Sequence, residues 1–152
     1  NAFLDLRAAS LPARVRRNIA DETMAVLEPP EFAPLFGPES QAEVAIVAEV
    51  PKPDDSREPI RIAGQIDRLV RLGDDVLIVD YKTSPPPAPG ADIPDAYLVQ
   101  LAAYRLALAR IYPGSVVRAA ILWTESAYIQ EVPTAALDAA GARLLSSPQG
   151  SP

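Results

Sequence analysis

Two carboxylates and an ammonium in one predicted hairpin are the residues best placed to do chemistry: Asp67, Asp80 and Lys82. Gly73-Asp74 is a favoured two-residue loop, and it separates the strand-like runs 60–72 and 75–81. With Gly73 and Asp74 in the loop, Leu72 faces Asp75. Counting outward then sets Asp67 opposite Asp80 and Gln65 opposite Lys82. Side chains alternate along a strand, so this register puts all four on one face. Opposed residues have Cβ atoms roughly 4.5–5.5 Å apart, a separation at which two like charges destabilise a sheet unless a proton or cation lies between them. Lys82 supplies part of that compensation and a divalent cation would supply the rest. Mg²⁺ prefers oxygen ligands and commonly takes only one or two protein carboxylates, so Asp67 and Asp80 suit it.

Ordinary exposed strand charges with a salt bridge to Lys82 would be the plain alternative for any one of these residues. Two features weigh against it. Asp80 follows Val76-Leu77-Ile78-Val79, an apolar run typical of a buried strand, where a carboxylate adds nothing to solubility. The chain also uses Arg twelve times and Lys only at 52 and 82, so a compact point charge at 82 points to a role that a guanidinium fork does not fill.

Composition narrows the chemistry further. The 152 residues contain neither His nor Cys. That excludes disulfides, thiolate zinc sites, iron–sulfur clusters, a Cys nucleophile and a Ser-His-Asp triad within this chain. The formal net charge is −6, so bulk charge does not signal nucleic-acid binding. Arg14, Arg16 and Arg17 form the densest basic cluster and read as a solvated helix face. No apolar run approaches the ~20 residues of a membrane span. Without a Gly-x-x-x-x-Gly-Lys loop, nucleotide hydrolysis within this chain is not expected.

Prolines, 17 in all, punctuate the predicted elements. A helix is expected over 14–27, a short helical turn over 32–36 and a strand over 43–50 with Val44, Ile46, Ala48 and Val50 on one face. A polar loop over 51–59 leads into the hairpin. The proline-rich segment 84–90 precedes a long helix over 94–112, a second hairpin over 116–124 and 127–132, and a last helix over 134–145. The order indicates a mixed α/β (α+β) fold in a single domain over 1–152: a helical lead-in at 1–39, a core at 40–132, then a final helix and a loose tail.

Gly64-Gln65-Ile66-Asp67-Arg68 followed by Val79-Asp80-Tyr81-Lys82-Thr83 resembles the nuclease domain of the RecB family, whose signature is Asp, then Asp or Glu, a spacer and Lys. Gln100 and Tyr104, within Tyr97-Leu98-Val99-Gln100-Leu101-Ala102-Ala103-Tyr104, resemble the Gln-x-x-x-Tyr element on that family's following helix. Ser40-Gln41-Ala42-Glu43-Val44 resembles its glutamate-bearing strand, with Glu49 competing for the role of Glu43. Within the family the pattern resembles that of the AddA-type C-terminal nuclease domains.

The resemblance implies a restriction-endonuclease-like central mixed sheet flanked by helices. It also implies Mg²⁺-dependent hydrolysis of DNA phosphodiesters, with Mn²⁺ as a substitute ion and no iron–sulfur cluster. Asp67, Asp80 and the main-chain carbonyl of Tyr81 would bind the metal, and Lys82 would position the attacking water and offset charge. Glu43, Gln65, Gln100 and Tyr104 would support the site or touch DNA. The setting implied is a cytoplasmic, ATP-dependent helicase–nuclease of double-strand break repair and recombination, with DNA and an AddB-type subunit as partners. The family usually carries a metal-ligating His on a helix before the first strand. Its absence leads to the expectation that this piece begins after that helix and holds an incomplete metal site. A non-catalytic nuclease-like module for partner or DNA contacts is the competing expectation.

Overall fold

A computed structural model describes residues 8–53 and 58–146. It shows α1 (Ala13–Leu27), a 3-10 helix (Pro30–Phe36), β1 (Ser40–Val50), β2 (Ile60–Leu72), β3 (Asp75–Lys82), α2 (Asp95–Ile111), β4 (Val117–Trp123), β5 (Tyr128–Glu131) and α3 (Thr134–Ser146). Each expected element is present within a few residues of its expected bounds. Residues 54–57 of the expected polar loop, and the expected tail from 147 onward, lie outside the described residues.

The five strands form one sheet in the order β1-β2-β3-β4-β5. Neighbours run antiparallel except β3 and β4, which are parallel and joined by the α2 crossover. Parallel strands are covered on both faces, and β3 and β4 accordingly read as near-continuous apolar runs. On one face α2 and α3 pack through Leu101, Ala102, Leu108, Leu137 and Ala140 onto Ile46, Ile62, Ile66, Ile78 and Ile121. On the other, Val26 of α1 and Phe32 and Leu35 of the 3-10 helix cover Val70, Val79 and Leu122. This is the mixed sheet flanked by helices that the resemblance implies.

Local sequence explains where α2 sits. Asp95 in its first turn complements the helix dipole, and the helix stops before Pro113-Gly114, where Gly114 takes φ +94°. Arg105 of α2 pairs with Asp138 of α3 at 2.6 Å, and Arg143 of α3 reaches back to Asp95. The helix is thereby held with one side over the end of β3.

The β2–β3 ladder follows the register expected from the Gly73-Asp74 turn, from Leu72↔Asp75 to Arg68↔Val79. It stops there. Along β2, Ile62 and Ile66 face α2, as alternation requires, but so does Leu69, three residues on, while Val70 joins the opposite core and Arg68 lies over Phe36. The alternation slips by one residue at Asp67. On β1, Glu43 stands at the same level: the β1–β2 pairing runs Ala42↔Arg68 then Val44↔Ile66, and Glu43 has φ +54°. A left-handed backbone at a non-glycine residue is costly and persists only where its surroundings impose it. Both strands are therefore re-aimed at the level where the hairpin forks.

Candidate active site

The fork decides where the acidic groups point. Beyond Arg68↔Val79 the backbone of β2 no longer meets β3. The side chain of Asp67 fills the gap, its Oδ2 accepting the main-chain N–H of Tyr81 at 2.7 Å. The next residue back along β3 is Asp80, at the end of the buried strand and only 4% exposed, the one buried charged residue among the described residues. Asp67 and Asp80 are thus brought to one end of the hairpin, as expected, though through the fork rather than through a regular opposed pair.

Asp80 is held from α2 and from its own strand. Gln100 Nε2 donates to Asp80 Oδ1 at 3.1 Å, and Lys82 Nζ donates to Gln100 Oε1 at 3.3 Å. The ammonium also lies 2.6 Å from Asp80 Oδ2. That ion pair is the one polar contact of Oδ2 among the described residues. Burial raises the Asp80 pKa above the ordinary carboxylate value; Lys82 opposes the rise and the nearby charge of Asp67 adds to it. A buried carboxylate whose second oxygen meets a single ammonium, beside a second carboxylate, is an environment that accommodates an added cation.

Two aromatic rings complete the α2 wall. Lys82 Nζ sits 4.5 Å from the centroid of the Tyr97 ring, which in turn packs at 6.0 Å on Trp123. Tyr97, Gln100 and Tyr104 recur at three and four residues, so one stripe of α2 supplies all three. Tyr104 lies directly over Gly64: a Cβ there would meet its Cε1 at 2.7 Å and its hydroxyl at 2.9 Å. Gly64 is required so that the ring can rest on β2. Tyr104 thus packs on the sheet while its hydroxyl accepts a long contact from Gln100 Nε2 at 3.5 Å.

Not every expected site residue arrives. Gln65 does not share a face with Lys82, because the slip at Asp67 turns it the other way. It is exposed and donates to Glu43 Oε2 at 2.5 Å. Glu43 stands at the level of Asp67 on the neighbouring strand, whereas Glu49 lies further along, opposite Arg61. Arg14 and Arg17 are exposed on α1. Tyr97 escaped the sequence reading. Its signal was its place three residues before Gln100, on the same helical stripe.

The donor set suits a hard divalent cation: Asp80 Oδ2, the oxygen of Asp67 not engaged by Tyr81, and the adjacent main-chain carbonyl of Tyr81 are all oxygens. Among the described residues no three His, Cys, Asp or Glu side chains gather as a metal cluster. Two carboxylates are within the usual complement for Mg²⁺, which keeps several waters. Among the described residues no helix is long and apolar enough to cross a membrane.

The family model described as the PD-(D/E)XK nuclease superfamily matches residues 4–145. No curated protein matches the chain. Among solved structures, the chain is similar to one described as "Crystal structure of SSO0001", at 13% sequence identity and a TM-score of 0.43, over 90% of this chain and 72% of that one.

Proposed function

The chain belongs to the PD-(D/E)XK nuclease superfamily, and from that premise we propose that it is a Mg²⁺-dependent deoxyribonuclease acting through Asp67, Asp80 and Lys82. The observation that carries the proposal is the state of Asp80: buried, raised in pKa, and with one oxygen aimed at nothing but an ammonium. Perturbed carboxylates of this kind concentrate at functional sites.

In this reading Asp67, Asp80 and the Tyr81 carbonyl hold the ion, which supplies Lewis-acid charge at the scissile phosphate when bound. The roles of the protein groups follow from their positions. Gln100 presents its amide oxygen to Lys82 and its N–H to Asp80, so it holds the two groups in fixed orientation. A carboxylate and the Tyr97 ring face the Lys82 ammonium, whose charge offsets that developing on the phosphate oxygens. The same ammonium orients the attacking water. The N–H of Tyr81 fixes one oxygen of Asp67, leaving the other for the ion.

The finer setting we propose is the nuclease domain of an AddAB-type, ATP-dependent helicase–nuclease of double-strand break repair and recombination, cytoplasmic, with DNA and an AddB-type subunit as partners. Its support is the trio of motifs at 64–68, 79–83 and 97–104. The test is hydrolysis of end-labelled linear DNA with Mg²⁺ by the protein and by Asp80→Ala. Degradation that needs the ion and is lost in the variant is expected. Undiminished degradation by Asp80→Ala would refute the assignment.

A further inference from the structure

Arg68 is a half-buried cation in an acidic chain, yet among the described residues every group it touches is neutral. Its Nε donates to the Tyr81 hydroxyl at 2.9 Å, its Nη1 donates to Ser40 Oγ at 3.1 Å, and its guanidinium lies 4.9 Å over the Phe36 ring. Ser40 Oγ donates onward to the Leu35 carbonyl at 2.6 Å. The arrangement ties β2 to β3, β1 and the 3-10 helix at a single level, which is the level where the β2–β3 ladder ends.

Arg68 and Asp67 are consecutive, and both bond to Tyr81. Arg68 takes the side chain on the α1 face, and Asp67 takes the main-chain N–H at the fork. Two side-chain bonds replace the ladder rung that the fork removes. We propose that Arg68 and Tyr81 form a positioning pair, a clamp behind the sheet that sets the Tyr81 main chain and through it the direction of the Asp67 carboxylate. The consequence for cation binding rests on the nuclease reading above; the clamp itself does not. Planarity and donation from two nitrogens to two separate hydroxyls make the residue hard to replace. A lysine ammonium has no fork and no flat face to lay on Phe36.

Amide hydrogen exchange, followed by NMR in the wild type, Arg68→Lys and Tyr81→Phe, tests the clamp directly. The residue 81 amide should exchange at least ~10-fold faster in both variants, the scale of losing about one hydrogen bond. The amides of Val76 and Val132, bonded to the Val116 and Ala119 carbonyls at the margins of the sheet away from the fork, should keep their wild-type rates. A residue 81 rate unchanged in both variants would overturn the proposal, as would equal acceleration of all three amides, which signals general destabilisation. Mn²⁺ titration of the same proteins separates the two claims. A wild type that binds Mn²⁺ and variants that bind it several-fold more weakly support the clamp's part in the site. Equal affinity in all three would confine the clamp to the fold and overturn its functional part. A wild type that binds no Mn²⁺ would sink the nuclease reading, while the exchange rates would still decide the clamp.

Discussion

Gln100 gives its amide N–H to Oδ1 of Asp80 across 3.1 Å while its carbonyl end receives Lys82 at 3.3 Å. One side chain from α2 therefore holds two of the site's three charged members, Asp80 and Lys82, and it does so with a fixed polarity. The amide orientation follows from the partners: only its oxygen can face an ammonium and only its nitrogen can donate to a carboxylate.

Replacing that amide by a hydrocarbon of similar reach removes both bonds and leaves the ion pair in place. Gln100→Leu should keep the fold and lower Mg²⁺-dependent DNA hydrolysis on the order of 10-fold, equivalent to about 1.4 kcal/mol of lost transition-state stabilisation. Steady-state rates on linear DNA, beside a far-ultraviolet circular dichroism spectrum, check it. A rate within twofold of wild type would show that Gln100 merely packs.

Gly64 and Tyr104 are coupled by space alone. A methyl group at 64 would stand 2.7 Å from Tyr104 Cε1, so the ring must swing away from β2 and its hydroxyl away from Gln100. Gly64→Ala should cost about 1–3 kcal/mol, the usual range for overpacking. In the Tyr104→Leu background the same substitution should cost markedly less. Additive losses in urea unfolding would contradict the contact.

Asp80 makes stability depend on pH with a definite sign. Its folded pKa is raised above the 3.8 of an ordinary Asp, chiefly by burial. The folded state therefore favours the neutral acid. That contribution is fully present below the unfolded pKa and is lost as pH rises through the folded one. Asp80→Asn, which stays neutral, should unfold at higher urea than wild type near pH 7, and the gap should close as pH falls toward 3.8. Lys82 keeps Gln100 and the Tyr97 ring in the variant, so it is not stranded. A gap of equal size at pH 4 and pH 7 would show that the Asp80 carboxyl is not under strain.

Asp67 has a structural duty separable from its charge. Asp67→Ala leaves the Tyr81 N–H without its acceptor and should cost about 1–3 kcal/mol. Asp67→Asn retains an accepting oxygen and should cost less, while still weakening cation binding as much as the alanine does. Urea midpoints and Mn²⁺ affinities for the two variants make the comparison.

Much of this architecture was legible from local signals. The Gly73-Asp74 turn correctly sets the register from Leu72↔Asp75 to Arg68↔Val79. The apolar run ending in Asp80 does announce a buried carboxylate, and the 97–104 stripe does bring Gln100 to it. The extrapolation fails beyond the last rung. Strict alternation puts Gln65 beside Lys82, but the strand slips at Asp67 and sends Gln65 to Glu43 on the other face. The slip has a trace in the sequence: Ile66 and Leu69, both core residues, are three apart instead of two or four. Arg68 is the other trace, a charge lodged between Ile66 and the buried pair Leu69-Val70. What no local pattern carries is the left-handed backbone of Glu43 or the close approach of Tyr104 to Gly64, since both are imposed by neighbours distant in sequence.

Asp67 and Asp80 are the two carboxylates proposed to converge on one cation. Isothermal titration with Mn²⁺ measures that convergence without requiring turnover. Saturable binding by the wild-type protein is expected, abolished or greatly weakened in Asp67→Asn and in Asp80→Asn alike. Absence of saturable binding, or binding that survives both substitutions unchanged, would contradict it.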